Sequence, residues 1–336
     1  MEVGSVLAGK YRIDRILGRG GMGIVVQAMH LQLGQPVAVK FLLPEVLGNR
    51  ELVQRFLREA QAAVRLRSEH VARVIDVGTL ETGAPYMVLE YLEGTDLAHY
   101  PRTHLSPGVI VDLMLQACEA LAEAHSLGIV HRDIKPANFF VTKRSDGSSL
   151  LKVLDFGISK APTTTQDNNL TTTQVVMGTP AYMSPEQMKS ARDVDARSDI
   201  WSLGVVLYQL LEGAPPFEAE SFTALCIKVA TEPMRPMETE LPAGLAQVVE
   251  RCLEKQRTKR FANVGELARE LAPFARSATQ AAITIERTSH VLSRVSDMPG
   301  VTVTEMKKIV VPTTLSASAA ALTPPPTKPR RMWPFL

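Results

Sequence analysis

One short stretch, and a tripeptide that follows it, constrain this chain more than any other part of the sequence. Residues 131–138 read His-Arg-Asp-Ile-Lys-Pro-Ala-Asn, and residues 155–157 read Asp-Phe-Gly. Asp133, Asn138 and Asp155 therefore supply two carboxylates and one carboxamide at a fixed spacing. Such oxygen atoms suit Mg²⁺, and a carboxylate can also orient a hydroxyl and accept its proton. Because Lys135 adds a positive charge, the set predicts a site for phosphoryl transfer.

A second pattern is a glycine-rich turn between two predicted strands. Residues 18–25 read Gly-Arg-Gly-Gly-Met-Gly-Ile-Val, with glycines at Gly18, Gly20, Gly21 and Gly23. Glycine lets a backbone approach phosphate oxygens closely. Dinucleotide-binding folds use the same spacing, but there the glycines open a helix, whereas the β-branched residues here predict that a strand continues. A plain glycine hairpin remains the alternative.

A lysine and a glutamate form the third pattern. Lys40 lies near the end of a strand predicted over residues 36–41, and Glu59 lies at the edge of an apolar stripe in a helix predicted over 51–67. A carboxylate that faces a core is costly unless it is paired, so we expect Lys40 and Glu59 to form an ion pair. The alternative is that Glu59 is a surface residue.

In combination, these motifs resemble those of eukaryotic-like bacterial serine/threonine protein kinases. Residues 178–186, Gly-Thr-Pro-Ala-Tyr-Met-Ser-Pro-Glu, extend the resemblance, which covers residues 6–275. It implies an α+β, bilobal protein kinase fold. We expect a five-stranded antiparallel N-lobe with one major helix over 1–92 and a mainly helical C-lobe over 93–275. We expect residues 276–336 to be a Thr/Ser/Pro-rich basic tail, mostly disordered, with a short helix near 278–294.

The resemblance also implies roles for individual residues, with ATP and Mg²⁺ as the bound groups. The catalytic residues would be Asp133, Lys135, Lys40, Glu59 and Thr179, and the metal ligands would be Asn138 and Asp155. The nucleotide would contact the four glycines together with Leu17, Val25, Ala38, Lys40, Glu90, Leu92, Asp96 and Phe140. Asp96 could equally be a helix N-cap, and Phe140 is bulkier than the aliphatic residue expected at its position.

A threonine-rich segment between Asp155 and Glu186 resembles the activation segment of these kinases. Arg132, directly before Asp133, implies that phosphorylation of this segment raises activity, because a phosphate can pair with the arginine. The candidate autophosphorylation sites are Thr171, Thr172 and Thr173, of which Thr171 and Thr173 are preferred.

Three further positions are expected to be structural. His131 would be a buried residue that fixes the conformation of the loop formed by residues 131–138, although a free general base is the alternative. Asp199 would accept hydrogen bonds from the backbone of this loop. Glu186 would form an ion pair with Arg260.

Charge and cysteine content exclude other classes of function. The net charge is +2; residues 276–336 hold eight Lys or Arg against three Asp or Glu, a net +5, which leaves −3 for residues 1–275. A near-neutral body gives no electrostatic case for nucleic acid. Cys118, Cys226 and Cys252 are far apart in the sequence and predict buried thiols in a reducing cytoplasm. Neither a signal peptide nor a membrane-spanning helix is expected.

The expected partners are protein substrates with Ser or Thr hydroxyls, and related kinases imply a homodimer through the N-lobe. Residues 328–336 place basic residues before tryptophan and apolar residues. This end is either an unstructured tail or a weak contact with a membrane surface or a partner.

Two rival classes of function share parts of this pattern. A pseudokinase scaffold would bind partners without transferring phosphate, but it would ordinarily lack Lys40, Asp133 or Asp155. A small-molecule phosphotransferase would typically lack the segment 179–186.

Overall fold

A computed structural model of the chain describes residues 2–20, 23–156, 180–190 and 193–296. The chain divides into the units Met1–Asp297 and Met298–Leu336, and the second unit lies outside these ranges. Four sets of predictions also fall on residues outside them. These are Gly21, Thr179, the candidate sites Thr171, Thr172 and Thr173, and the tail after residue 296.

An antiparallel sheet forms the N-terminal part of the fold. Its strands are β1 (Val6–Leu7), β2 (Tyr11–Arg19), β3 (Gly23–His30), β4 (Gln35–Leu42), β5 (Val74–Thr79) and β6 (Pro85–Glu90). They are arranged in the order β1-β2-β3-β4-β6-β5. The sheet therefore has six strands rather than the predicted five, because the two-residue β1 pairs with the start of β2. So short a strand carries no alternation by which a sequence could reveal it.

One long helix, α1 (Arg50–Ala63), packs on this sheet. Asn49 caps its N-terminus by accepting the N–H groups of residues 51 and 52. Phe56 and Ala60 are buried against Leu42 and Met87 of the sheet. The helix ends four residues before the predicted residue 67, where the backbone N–H of Arg67 instead donates to the carboxylate of Glu123.

The remainder of the described chain is mainly helical. Its helices are α2 (Pro107–Ser126), α3 (Pro185–Lys189), α4 (Ala196–Glu212), α5 (Phe222–Thr231), α6 (Leu245–Cys252), α7 (Val264–Leu271) and α8 (Ala278–Ser296). A small sheet has the order β7 (Thr95–Asp96), β8 (Phe139–Lys143), β9 (Ser149–Val153). Helices α2 and α4 are buried along most of their length and form the centre of the core. This agrees with their apolar composition on all sides.

Helix α8 lies where the sequence predicted a short helix within the tail. Ala281 and Thr288 are buried, and Leu292 packs on the core. Gly265 of α7 allows this close approach, because a Cβ atom there would lie 2.9 Å from the Leu292 side chain. Among the described residues, no helix is both long and apolar enough to cross a membrane.

A buried ion pair fixes α3 to the C-terminal helices, as the sequence predicted. Arg260 Nη1 and Nη2 donate to Glu186 Oε1 and Oε2 at 2.6 and 2.8 Å. Ser198 Oγ also donates to Glu186 Oε1, at 2.6 Å. Burial raises the pKa of Glu186, but hydrogen bonds and the arginine charge outweigh this effect and lower it. The arginine side chain has no exposed surface, so its charge depends on these partners.

We predict that Glu186→Ala lowers the free energy of unfolding by about 3–5 kcal/mol, because it leaves a buried guanidinium without its carboxylate. Urea denaturation measures this loss. The matched control is Glu218→Ala, which removes a half-exposed pair with Arg235 at 2.9 Å and should cause no measurable change. Equal effects of the two substitutions would contradict the structural role given to Glu186.

Candidate active site

A cleft of about 670 Å³ lies beneath β2 and β3 and beside the end of β6. The predicted nucleotide contacts among its lining residues are Leu17, Gly18, Val25, Ala38, Lys40, Glu90, Leu92, Asp96 and Phe140. Glu59 and Asp155 line it as well. The structure thus brings these residues together in one cavity.

Of the glycines of the turn that the structure describes, Gly18 lines the cleft, whereas Gly20 and Gly23 do not. The N–H of Gly20 donates to the carbonyl of Gly23 at 2.8 Å, which closes the turn. A Cβ atom on Gly23 would lie 2.7 Å from the carbonyl oxygen of Phe41, so glycine is required here for strand packing. The β-strand that follows agrees with the predicted strand-turn-strand and not with a helix.

Lys40 is the centre of the charged wall of this cleft. It lies on β4 opposite Val25 of β3 and Met87 of β6. Its Nζ donates to Glu59 Oε1 at 2.7 Å, which confirms the predicted ion pair, and to Asp155 Oδ1 at 2.6 Å. The side chains of Lys40 and Glu59 are only 17% and 13% exposed. One ammonium group therefore links a strand, a helix and Asp155, the second residue after β9.

The protonation states of this group follow from burial and charge. Burial alone would lower the pKa of Lys40, but the carboxylates of Asp155 and Glu59 outweigh it and raise the pKa. Burial raises the pKa of Glu59 against the opposing effect of Lys40. Lys40 therefore stays protonated, whereas Glu59 depends on Lys40 to keep its charge.

Residues 131–138, the predicted catalytic loop, lie between α2 and β8 and place three polar side chains together. Lys135 Nζ donates to Asp133 Oδ2 at 3.1 Å. Asn138 Nδ2 donates to the backbone carbonyl of Asp133 at 2.7 Å and approaches its Oδ2 at 3.4 Å. Because Asn138 is buried, these contacts hold the loop in a defined conformation. Lys135 and Asn138 therefore fix the orientation of the Asp133 carboxylate.

His131 is a structural residue, as the sequence indicated. Its Nδ1 accepts the N–H of Asp133 at 3.2 Å, so its Nε2 carries the proton donated to the carbonyl of Leu154 at 3.1 Å. Burial lowers the pKa of His131, and the imidazole is neutral. A free general base at this position is therefore excluded by the geometry.

Asp199 accepts hydrogen bonds from the loop backbone, which confirms the prediction. Its Oδ2 and Oδ1 accept the N–H groups of His131 and Arg132 at 2.8 and 2.9 Å. Burial raises the pKa of Asp199, but the hydrogen bonds that it accepts from His125 and from the Arg132 backbone help to outweigh this effect, and the pKa is lowered. The ionised carboxylate thus orients the loop from within the core.

The alternative that Asp96 caps a helix is wrong, because Asp96 ends β7 and a turn follows it rather than a helix. Asp96 Oδ1 accepts the N–H groups of Ala98 and His99 at 2.9 and 3.1 Å, which stabilises this turn. The residue nevertheless lines the cleft beside Phe140, its partner in β8.

Two side-chain hydrogen bonds at the cleft were not predicted from the sequence. Lys152 Nζ donates to Glu90 Oε1 at 2.6 Å, so the Glu90 carboxylate is engaged behind the cleft. Arg15 Nη2 donates to the hydroxyl of Tyr91 at 2.8 Å. The lysine within the apolar strand 149–153 was the one available signal, since such a residue needs a partner. Nothing in the sequence indicated the contact of Arg15.

The donor set fits Mg²⁺ held partly by a phosphate ligand. Asn138 and Asp155 offer oxygen atoms, which Mg²⁺ prefers. The Asp155 side chain is half exposed. Within the described part of the chain, no group of three or more His, Cys, Asp or Glu residues could hold a metal ion. An ion held by Asn138 and Asp155 would take its remaining ligands from substrate phosphates and water.

Comparison with known proteins identifies the family. The sequence profile described as "Protein kinase domain" matches residues 11–271, and the chain belongs to this family. It is 39% identical over 264 residues to serine/threonine-protein kinase Pkn1 of Myxococcus xanthus, which covers 77% of this chain and 37% of that protein. It is 36% identical over 312 residues to PknB of Mycolicibacterium smegmatis, covering 89% and 49%. The chain therefore spans less than half the length of these relatives.

A solved structure agrees with this assignment. The PknI kinase domain of Mycobacterium tuberculosis matches with a TM-score of 0.58 and 27% identity. The match covers 82% of this chain and 100% of that domain. The predicted protein kinase fold is confirmed.

We predict that His131 does not titrate near its ordinary pKa of 6.5. Because the folded state holds the neutral ring, only the unfolded chain gains a proton as the pH falls below 6.5. The His131 contribution to stability is therefore complete above pH 6.5 and is lost as the pH falls towards the lowered folded pKa. In NMR titration from pH 8 to 6, the imidazole signal that His131→Phe removes should not shift. A titration near pH 6.5 would contradict the neutral assignment.

Proposed function

We propose that this chain is a serine/threonine protein kinase that transfers the γ-phosphoryl group of ATP to Ser and Thr hydroxyls of proteins. The observation that carries the proposal is the position of Lys40 Nζ, 2.7 Å from Glu59 and 2.6 Å from Asp155, in the wall of the cleft. In protein kinases a lysine and glutamate paired in this way, with an aspartate beside them, form the active arrangement. The named relatives support the choice of Ser and Thr as acceptors.

The nucleotide would bind in the cleft beneath the glycine-rich turn. The apolar side chains of Val25, Ala38 and Phe140 would pack against its base, and the backbone after β6 would hydrogen-bond the edge of the base. Lys40 would neutralise phosphate charge. When bound by Asn138 and Asp155, Mg²⁺ would offset the negative charge that builds up on the phosphate oxygens.

The acceptor hydroxyl would be oriented by Asp133, whose carboxylate takes its proton. Lys135, 3.1 Å from this carboxylate, would stabilise the negative charge of the transferring group. Thr179 would contact both residues from the segment that precedes α3. The contribution of the protein is therefore positioning and electrostatic stabilisation.

Regulation would act through Arg132 and the threonine-rich segment. A phosphate on Thr171, Thr172 or Thr173 would pair with this arginine. We place the N-lobe at residues 1–92 and the C-lobe at 93–275; of the predicted tail 276–336, helix α8 packs on the C-lobe core. Cytoplasmic protein substrates are the proposed partners, and a homodimer through the N-lobe is the proposed assembly.

We predict that Asp133→Asn lowers kcat about 10²–10⁴-fold while ATP still binds, because the amide cannot take the hydroxyl proton. Transfer of labelled phosphate to a generic protein substrate measures kcat, and mass spectrometry should find phosphate on residues 171–173 in the unaltered protein only. The control Asp146→Asn, on an exposed turn, should leave the rate unchanged. ATP binding without phosphate transfer in the unaltered protein would contradict the proposal and favour a scaffold.

A further inference from the structure

Helix α3 contacts the catalytic loop through a side chain that the sequence motifs do not explain. Gln187 Nε2 donates to the backbone carbonyl of Arg132 at 3.0 Å. Arg132 directly precedes Asp133 and has a φ of 67°, in the left-handed region that non-glycine residues rarely adopt. Such a conformation persists only where the surroundings hold it.

The backbone of Arg132 is held from two sides. Its N–H donates to Asp199 Oδ1 of α4 at 2.9 Å, and its carbonyl accepts from Gln187 of α3. The carbonyl belongs to the peptide group that leads into Asp133. Any rotation of that peptide would therefore move the carboxylate that must meet the substrate hydroxyl.

The amide of Gln187 has a defined orientation. Its Oε1 accepts the backbone N–H of Ser184 at 3.0 Å and the hydroxyl of Ser184 at 3.2 Å. Ser184 Oγ in turn accepts the N–H of Gln187, which completes a capping box. Because donors occupy Oε1, the NH₂ group must face Arg132. The ion pair of Glu186 with Arg260 fixes α3 itself.

We propose that Gln187 is a positioning residue for the catalytic loop: its amide holds the Arg132 peptide in the conformation that aims Asp133 at the acceptor hydroxyl. The proposal rests on the proposed kinase function. It also gives the backbone N–H of Ser184 a role, that of fixing which end of the Gln187 amide faces the loop.

The substitution Gln187→Glu distinguishes this hydrogen-bonding role from a role in packing alone. Gln187→Glu keeps the side-chain shape and the oxygen that accepts from Ser184, but it replaces the donor NH₂ with an acceptor oxygen. Two acceptors then face each other, and the loop loses one support. Protonation of the new carboxyl group at low pH restores a donor. Burial and the facing carbonyl favour this protonation, whereas the two donors of Ser184 oppose it.

The test compares the unaltered chain, Gln187→Glu and the matched control Gln247→Glu, which makes the same change at an exposed position of α6. We expect kcat of Gln187→Glu to fall about tenfold at pH 8, the effect of about 1.4 kcal/mol. The KM for ATP should stay within twofold, and the ratio of its kcat to that of the unaltered chain should rise as the pH is lowered towards 6. The control should match the unaltered chain at every pH.

A kcat for Gln187→Glu within twofold of the unaltered value would overturn the proposal, as would a loss that does not recover at lower pH. If this variant fails to fold, Gln187→Met and Ser184→Ala decide. The methionine variant should lose kcat, whereas Ser184→Ala should keep most of it because the backbone N–H of residue 184 still holds Oε1. The proposal would be overturned if Gln187→Met kept its kcat while Ser184→Ala lost it. An inactive unaltered chain would instead refute the proposed function.

Discussion

The ammonium group of Lys40 is the interaction on which the site depends. It is largely buried, and it pairs with one carboxylate from α1 and with that of Asp155, two residues after the end of β9. Burial raises the pKa of Glu59, so this carboxylate keeps its charge only while the lysine is beside it. The N-terminal sheet, its helix and the residue proposed to bind metal are therefore fixed relative to one another by one cation. Removing one partner of such a group lowers the free energy of unfolding by more than the ion pair itself contributes, because a buried charge is left without a partner.

Around this cation, the catalytic loop is positioned chiefly through backbone hydrogen bonds. Asp199 accepts two backbone N–H groups, neutral His131 donates to the carbonyl of Leu154, and the Gln187 amide donates to the carbonyl of Arg132. The left-handed conformation of Arg132 is maintained by these contacts. Consequently the orientation of Asp133 is set by residues that need not touch a substrate.

Sequence reasoning predicted the parts of this arrangement in which chemistry requires particular residue types at fixed spacing. The pair of Lys40 with Glu59 is present, as expected of a charge near a core, and so is the pair of Glu186 with Arg260, which the family resemblance implied. It did not predict the contact of Gln187 with Arg132, because the two residues lie far apart in the sequence and only the packing of α3 brings them together. The pair of Lys152 with Glu90 was missed because a lysine within an apolar strand indicates that a partner exists but not which residue it is. Helix α1 ends earlier than its pattern suggested because Glu123 captures the following backbone.

The most direct test of this account is the rate of phosphoryl transfer by Glu59→Gln, measured at saturating MgATP with Glu51→Gln, an exposed position on the same helix, as control. The substitution keeps the shape of the side chain but removes the charge that holds Lys40. The account predicts a rate about 10²-fold below that of the unaltered chain, because a displaced lysine no longer aligns the reacting groups. An unchanged rate would show that the buried cation does not organise the site.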